Sequence, residues 1–376
     1  MGGKNTSTMT GGTRTTDPYC KPRSLSTESY GLILLVISGM LFSCMGVFLK
    51  FASAGGIPST ELVVSRAVFQ GCLVILAMMF IRQEGNGKLL IHIPFGHSRT
   101  VQNVVLLRGA FGGSGFILYF YSIKSLPLGD AITLFSLYPI ITIFMARCLL
   151  QEAIKCSQLI AAFACVIGAA LIAGPSFLGF QSENVLHSPA YNPIGYATAL
   201  LGSFFGATVI VLVRKAGNLG AHTLQLIVSW AVFGAFFGTC LGMSSAGIEL
   251  EGPWRMPESK AEFGYILALC CVGSVAHFLM NYAAKLAPAG LSAIARSSDI
   301  LWSYSFEIVI FHVVPRAVTV FGVILIVTSL AGIALLKVQN ERKNKDASIL
   351  PTTKGETNET PVGEDTPLLS GGGPSK

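Results

Sequence analysis

Residues Gly112–Glu152 read GGSGFILYFYSIKSLPLGDAITLFSLYPIITIFMARCLLQE, and Gly273–Val313 read GSVAHFLMNYAAKLAPAGLSAIARSSDILWSYSFEIVIFHV. The second stretch is a copy of the first, 161 positions on and without a gap. The offset sets Leu118 on Leu279, Tyr121 on Tyr282, Lys124 on Lys285, Pro127 on Pro288, Gly129 on Gly290 and Ser136 on Ser297. Each copy is an apolar helix, a Lys-x-x-Pro-x-Gly turn and a second apolar helix. The proline presets one turn dihedral and the glycine tolerates a left-handed one, so two helices reverse over few residues. Apolar hairpins related by an internal repeat point to a membrane protein built from duplicated halves.

Composition agrees. Of 376 residues, 52% are hydrophobic and 12% charged, against about a quarter charged in a soluble protein. The apolar residues fall in windows of about 20, the length that crosses a bilayer as a helix. Ten windows are read, near 30–51, 60–81, 101–123, 129–150, 156–176, 193–213, 221–243, 261–283, 289–311 and 316–337. They lack the strict alternation of a barrel strand. The first 29 residues are polar, with no apolar core of a cleavable leader, so the first spanning helix is expected to act as its own insertion signal.

The formal charge of +7 does not call for nucleic acid. With both tails in the cytosol and ten crossings, 18 Lys and Arg fall on the cytosolic side and five, Lys50, Lys124, Arg255, Lys260 and Arg316, on the far side. Arg66, Arg108 and Arg296 lie within helices. That is the positive-inside bias of a membrane protein. Of the nine cysteines, seven lie in apolar windows, and Cys20 and Cys156 are placed in the cytosol; neither a disulfide framework nor metal spacing is present.

The expected organisation is a cytosolic tail over 1–29, a first repeat over 30–176, a second over 193–337 and a polar cytosolic tail over 338–376. Five helices per half is an odd number, so the second half must enter the membrane upside down. The fold class is therefore an all-α membrane protein of ten transmembrane helices in two inverted five-helix repeats, the architecture of alternating access. Gly109-x-x-x-Gly113, Gly202-x-x-x-Gly206 and Gly234-x-x-x-Gly238-x-x-x-Gly242 are expected to bring helices into close contact within the monomer. Oligomeric state is left open. In the C-terminal tail, Glu364 four residues before Leu368-Leu369 has the form of an adaptor-read sorting signal. The glycosylation patterns at Asn5 and Asn358 fall on the cytosolic side and should be unused.

A charge at membrane depth faces a partner or a wet cavity, because hydrocarbon does not solvate it. Arg66 lies in helix 2, Arg108 in helix 3, and Asp130 and Glu152 bound helix 4. His277, Asn281 and Lys285 share one face of helix 8 at i, i+4 and i+8, and Arg296, Asp299, Ser303 and Glu307 form a stripe on helix 9. Helices 5 and 10 carry no internal charge and are placed at the rim, with the other eight around a central cavity. Arg296 and Asp299 could instead neutralise each other, and Arg66 and Arg108 could snorkel to an interface. Several helices each tolerating a polar stripe nevertheless favour a binding role for Arg66, Arg108, His277, Asn281, Arg296, Asp299 and Glu307. Gly112-Gly113-Ser114-Gly115 with His277 matches the pattern of a rhomboid-type intramembrane protease. The same residues are the small ones expected in a packed helix 3, and Val275 stands opposite Ser114. The reading kept is not an enzyme.

Arg108 through Glu152, with Leu-Pro-Leu-Gly-Asp-Ala after Lys124 and Pro139 in the next helix, resembles the EamA-type module of the drug/metabolite transporter superfamily. The run Arg296-Ser-Ser-Asp-Ile-Leu-Trp-Ser-Tyr-Ser-Phe-Glu307, followed by Val314-Pro315, is similar to the solute-carrier 35 family, G subfamily. The resemblance covers about 30–337. It implies ten helices, cytosolic termini and solute transport, and it maps the family's acidic residue closing helix 4 onto Glu152. The second half departs from the pattern, with Val313 at the equivalent place.

These readings converge on a secondary transporter of a small organic anion, a nucleotide sugar or a phosphorylated or carboxylated solute, in an endomembrane or the plasma membrane. Lys124-Pro127 and Lys285-Pro288 are expected to act as outer and inner gates. The expected partners are the solute, the bilayer, a coupling ion or counter-substrate, and an adaptor at the C-terminal tail. No cofactor or metal is expected, and without a Walker-type motif ATP does not drive the cycle. The alternative is a membrane scaffold that keeps a transporter-like fold and acts through its tails.

Overall fold

The computed structural model describes residues 25–82, 87, 89–126, 128–173, 193–244, 247–249, 252–312 and 317–349. Among these the chain is all-helical, with a lone bridge between Arg82 and Leu89. The helices are α1 (Leu25–Ala54), α2 (Ser59–Met78), α3 (Arg99–Ser125), α4 (Leu128–Phe135), α5 (Tyr138–Leu150), α6 (Cys156–Ala173), α7 (Pro193–Asn218), α8 (Thr223–Gly242), α9 (Lys260–Leu286), α10 (Ala289–Arg296), α11 (Ser298–Phe311) and α12 (Ala317–Ile349). The described residues up to position 337 form one compact unit; a second begins at Val338 and is described as far as the end of α12.

Among the described residues, eight helical stretches are long and apolar enough to cross a membrane. They answer eight of the ten expected windows. The window at 156–176 is the shorter apolar helix Cys156–Ile172, and that at 289–311 is two short helices, α10 and α11. The difference has a local cause. Ser297, Ser298 and Asp299 follow Arg296, and short polar side chains compete with the helix for its own backbone groups. The window at 129–150 is likewise interrupted at Ser136 and Leu137, just before Pro139 in the first turn of α5. Hydropathy reads each broken pair as one span, because the break costs no apolar residues.

The repeat read from the sequence returns in the helix boundaries. Moving α3 and α4 along by 161 residues gives the bounds of α9 and α10, and the break at Ser136 falls on the break at Ser297. The caps follow the same offset. Ser98 caps α3 by accepting from Val101 N–H at 3.3 Å, and Ser259 caps α9 by accepting from Glu262 N–H at 3.1 Å. At the other ends the N–H groups of Leu126 and Ala287 donate to Ser122 O and Ala283 O. Helices α5 and α11 are each followed by a left-handed non-glycine residue, Gln151 (φ 55°) and His312 (φ 53°). A side chain in that region is uncommon, so its recurrence at matching positions marks a shared backbone path.

The halves interlock. Helix α1 lies chiefly along α9, and α7 correspondingly along α3; α2 packs on α8; α1 also meets α11 as α7 meets α5. Glycines set the closest crossings. A Cβ on Gly109 would stand 2.7 Å from Ser229 O of α8, and one on Gly113 3.1 Å from Phe233 O. A Cβ on Gly238 would meet Val64 of α2 at 2.7 Å. Small-residue spacing thus serves contacts within the monomer. Helices α6 and α12 meet through Gly168 and Gly322 and expose Ile160, Phe163 and Ile167, and Phe321, Ile324 and Val327, on their outer faces.

Candidate functional site

The deepest charges in the bundle are Arg66 and Arg108, 4% and 1% exposed. Neither snorkels. Arg108 rises from α3 toward α9, where its Nη2 donates to His277 Nε2 at 2.8 Å and to Asn281 Oδ1 at 3.0 Å. Asn281 is fixed in turn by its Nδ2, which donates to His277 O at 2.7 Å. The i, i+4 face of α9 seen in the sequence is therefore what receives Arg108 from the other half. A guanidinium has no acceptor, so His277 Nε2 accepts and the ring proton of the neutral imidazole sits on Nδ1. That proton is directed at the side-chain amide of Gln70, whose Oε1 is 3.3 Å from Nδ1. Buried Gln70 lies one turn beyond Arg66 on α2 and ties that helix to Arg108 through the imidazole.

Arg66 is held by rings. Its guanidinium carbon lies 4.8 Å from the centroid of Trp230 and 5.6 Å from that of Phe42. Trp230 also meets His277 edge-on, with centroids 4.7 Å apart. The opposite side of the compartment is Arg296, which lies 4.3 Å from the Phe42 centroid, donates from Nε to Asp299 Oδ2 at 3.4 Å and bonds through Nη1 to Met280 Sδ. This pair is half-buried, so Arg296 is shallower than Arg66 and Arg108. A small cavity of about 20 Å³ lies against Arg296, lined by Leu35, Val209, Val213, Met280 and Ala284 among others. At the helix breaks, Tyr138 Oη and Ser297 Oγ lie 3.4 Å apart, so the two interruptions touch.

Among the described residues, several buried polar atoms have no hydrogen-bond partner. Arg66 Nε, Arg108 Nε and Arg108 Nη1 are among them. An unpaired buried donor costs about 1–3 kcal/mol, and more when charged. Two glycines at matching repeat positions border these atoms. A Cβ on Gly273 would stand 2.9 Å from Arg66 Nε, and one on Gly112 3.4 Å from Arg108 Nη1.

Polar clusters close both ends of α9. At its start Arg255 bonds through its backbone N–H to Glu61 at 3.0 Å, through its side chain to Glu258 and Glu262 at 3.4 and 3.5 Å, and to Gly55 O. At its end Glu152 accepts from Arg214 Nε at 3.2 Å and from Ala289 N–H of α10 at 2.9 Å, while Arg214 Nη1 donates to Lys285 O at 2.7 Å. Lys285 Nζ donates to Ala221 O at 2.5 Å. Pro288 caps the start of α10.

Of the residues expected in the site, Arg66, Arg108, His277, Asn281, Arg296 and Asp299 fall into this one compartment, with Phe42 and Met280 joining its two sides. Pro127, the side chains of Lys124, Asp130 and Glu307, Val313, and Glu364, Leu368 and Leu369 lie outside the described residues. The protease pair does not form: Ser114 Oγ donates to Ala110 O of its own helix at 2.6 Å, and both His277 nitrogens face other partners. Sequence reasoning missed Phe42, Gln70, Gly112, Trp230 and Gly273. Gln70 and Gly112 each stand four residues after a membrane-depth arginine, a same-face spacing that could have found them.

Residues 29–174 match the EamA-like transporter family. The first half of the chain is therefore similar to an EamA-like transporter module. The mouse solute carrier family 35 member G1 (Mus musculus) is 26% identical over 305 residues, covering 80% of this chain and 77% of that protein. The pseudopaline exporter CntI of Pseudomonas aeruginosa is 26% identical over 307 residues, covering 82% of this chain and 96% of the exporter. A crystal structure with 15% identity superposes with a TM-score of 0.64 over 85% of this chain and all of that one, a likeness of fold. The chain is thus similar to solute-carrier-35-like proteins of the drug/metabolite transporter superfamily, and is a multi-pass integral membrane protein.

Proposed function

We propose that this EamA-type protein is a secondary-active transporter of a small organic anion, a phosphorylated or carboxylated solute or a nucleotide sugar, working by alternating access. One observation carries the reading: Arg66 and Arg108 are almost wholly buried at the crossing of the two halves and keep nitrogen atoms that no protein group satisfies. Buried guanidinium groups with free donors suit carboxylate or phosphate oxygens. The repeat supplies the motion. Ten crossings in two inverted halves place both tails in the cytosol, the Arg255 cluster outside and the Glu152–Arg214 cluster inside. Opening one cluster while the other holds exposes the arginines to one side at a time. Lys124 and Lys285 stand at the two mouths, a coupling ion or counter-substrate completes the cycle, and the Glu364–Leu369 signal is read by an adaptor, with the protein in an endomembrane or the plasma membrane. Relatives named as a solute carrier and as an exporter of pseudopaline support transport without fixing the solute.

The test is counterflow in liposomes. Purified protein preloaded with unlabelled anion should accumulate the labelled form, across a panel of phosphate esters, carboxylates and nucleotide sugars. A chain lacking 1–28 and 340–376 should retain that flux. Absence of counterflow for every anion, or its loss with the tails alone, overturns the reading in favour of a scaffold.

A further inference from the structure

We propose that Arg66 and Arg108 form a two-guanidinium clamp for one oxyanion group bearing two negative charges, a phosphate monoester or a paired dicarboxylate. This deepens, and rests on, the anion-transport reading above. The first argument is charge. The groups bonded to or stacked on these arginines are neutral: His277 as an acceptor, Asn281, and the rings of Phe42 and Trp230. The one carboxylate in the described compartment, Asp299, is committed to Arg296, and Arg296 and Arg66 both lie against the Phe42 ring. The clamp therefore holds two uncompensated positive charges. A monoanion would leave one of them buried and unpaired, which is the costly arrangement.

The second argument is geometry. The atoms without a protein partner are Nε of Arg66 and Nε and Nη1 of Arg108, and each arginine is bordered there by a glycine. Gly273 lies at Arg66 Nε and Gly112 at Arg108 Nη1, where a Cβ would also meet Met45 Sδ at 2.7 Å and Trp230 Cδ1 at 3.0 Å, so a side chain at either place would crowd the free donor. Arg108 is held through Nη2 by His277 and Asn281, which leaves Nε and Nη1 free on either side of it and spares a ligand the cost of ordering the guanidinium.

The shared chemistry is the double negative charge, and paired ligands test it. Full-length protein in detergent is titrated at pH 8 with methyl phosphate and with dimethyl phosphate, and with succinate and with monomethyl succinate, following the thermal unfolding midpoint. In each pair methylation removes one charge and little shape. The dianion of at least one pair should bind roughly tenfold tighter than its methylated partner, a difference of about 1.4 kcal/mol. The pair with the larger ratio names the source of the oxyanion. Arg66→Gln and Arg108→Gln should each reduce the ratio to about threefold or less, whereas Arg147→Gln, on the exposed face of α5, should leave it. Where a glutamine variant does not fold, Arg66→Met and Arg108→Met take its place, and the wild-type contrast needs no variant. Equal binding within both pairs, no saturable binding of either dianion, or a ratio that survives both arginine changes overturns the clamp. Counterflow of monoanions as fast as dianions would sink the clamp and keep the transporter. Preferential dianion binding without counterflow of any anion would keep the clamp and sink the transporter.

Discussion

Arg296 and Asp299 separate two roles that a buried charge can have. The pair is half-buried and its bond is long, 3.4 Å, so its contribution to folding is small. Exchanging such a pair for apolar residues is often neutral, or stabilising by about 1–4 kcal/mol. Arg296→Leu combined with Asp299→Leu is expected to fold, reach its membrane and lose flux, because Phe42 then loses the cation that seats it beside Arg66. Arg296→Lys should keep a trace, since a point charge replaces a planar fork only in part. Surface expression with counterflow checks this, and wild-type flux in the double variant would make the pair structural. Spacing on α9 made His277 and Asn281 legible as one face. What they face was not legible, because Arg108 lies 169 positions from His277 and no local pattern records that crossing. Trp230 and Phe42 were hidden for a different reason: an aromatic residue in an apolar window looks the same whether it meets lipid or a guanidinium.

Among the elements, the hairpins were the most legible and the broken helices the least. The Lys-x-x-Pro-x-Gly turn and the flanking apolar runs are enough to locate α3 with α4 and α9 with α10 along the chain. Ser136 and Ser297 carried the breaks, but a serine in an apolar run is equally at home bonding back to its own helix. The short helix α10 depends on an outside anchor, the carboxylate of Glu152, which also binds Arg214. Glu152→Gln keeps the shape and halves the acceptor capacity. It should destabilise the protein by about 1–3 kcal/mol and speed hydrogen exchange across Ala289–Arg296 while leaving α2 and α8 unchanged. Mass spectrometry of peptides from those segments measures it; unchanged exchange in α10 would show that its position does not rest on Glu152. The sequence marked Glu152 as the charge that ends a helix and as the family's acidic position, but not what it binds, because its partners come from α7 and α10.

Over the whole molecule, composition and basic asymmetry made the membrane class and the expected topology readable, while the pairing of the halves was not. The topology itself is testable. Tags at both termini should be reached only after the membrane facing the cytosol is permeabilised, and a tag near Glu183 should behave in the opposite way. Glycan on Asn5 or Asn358 would overturn that orientation. The interlock of α1 with α9 and of α7 with α3 needs three-dimensional information, since either half could satisfy its apolar faces on itself. It also sets a limit on how the gene can be rearranged. The offset that joins the halves puts Leu269 opposite Arg108, and Phe116 and Phe120 opposite His277 and Asn281. The backbone has kept its symmetry while the chemistry has been divided, donors in one copy and their acceptors in the other. A chain made of two first halves would double the arginines and set phenylalanines against them; one made of two second halves would have acceptors and no Arg108. Neither half can stand in for its twin, so the repeat holds in the backbone while the two copies divide the labour at the site.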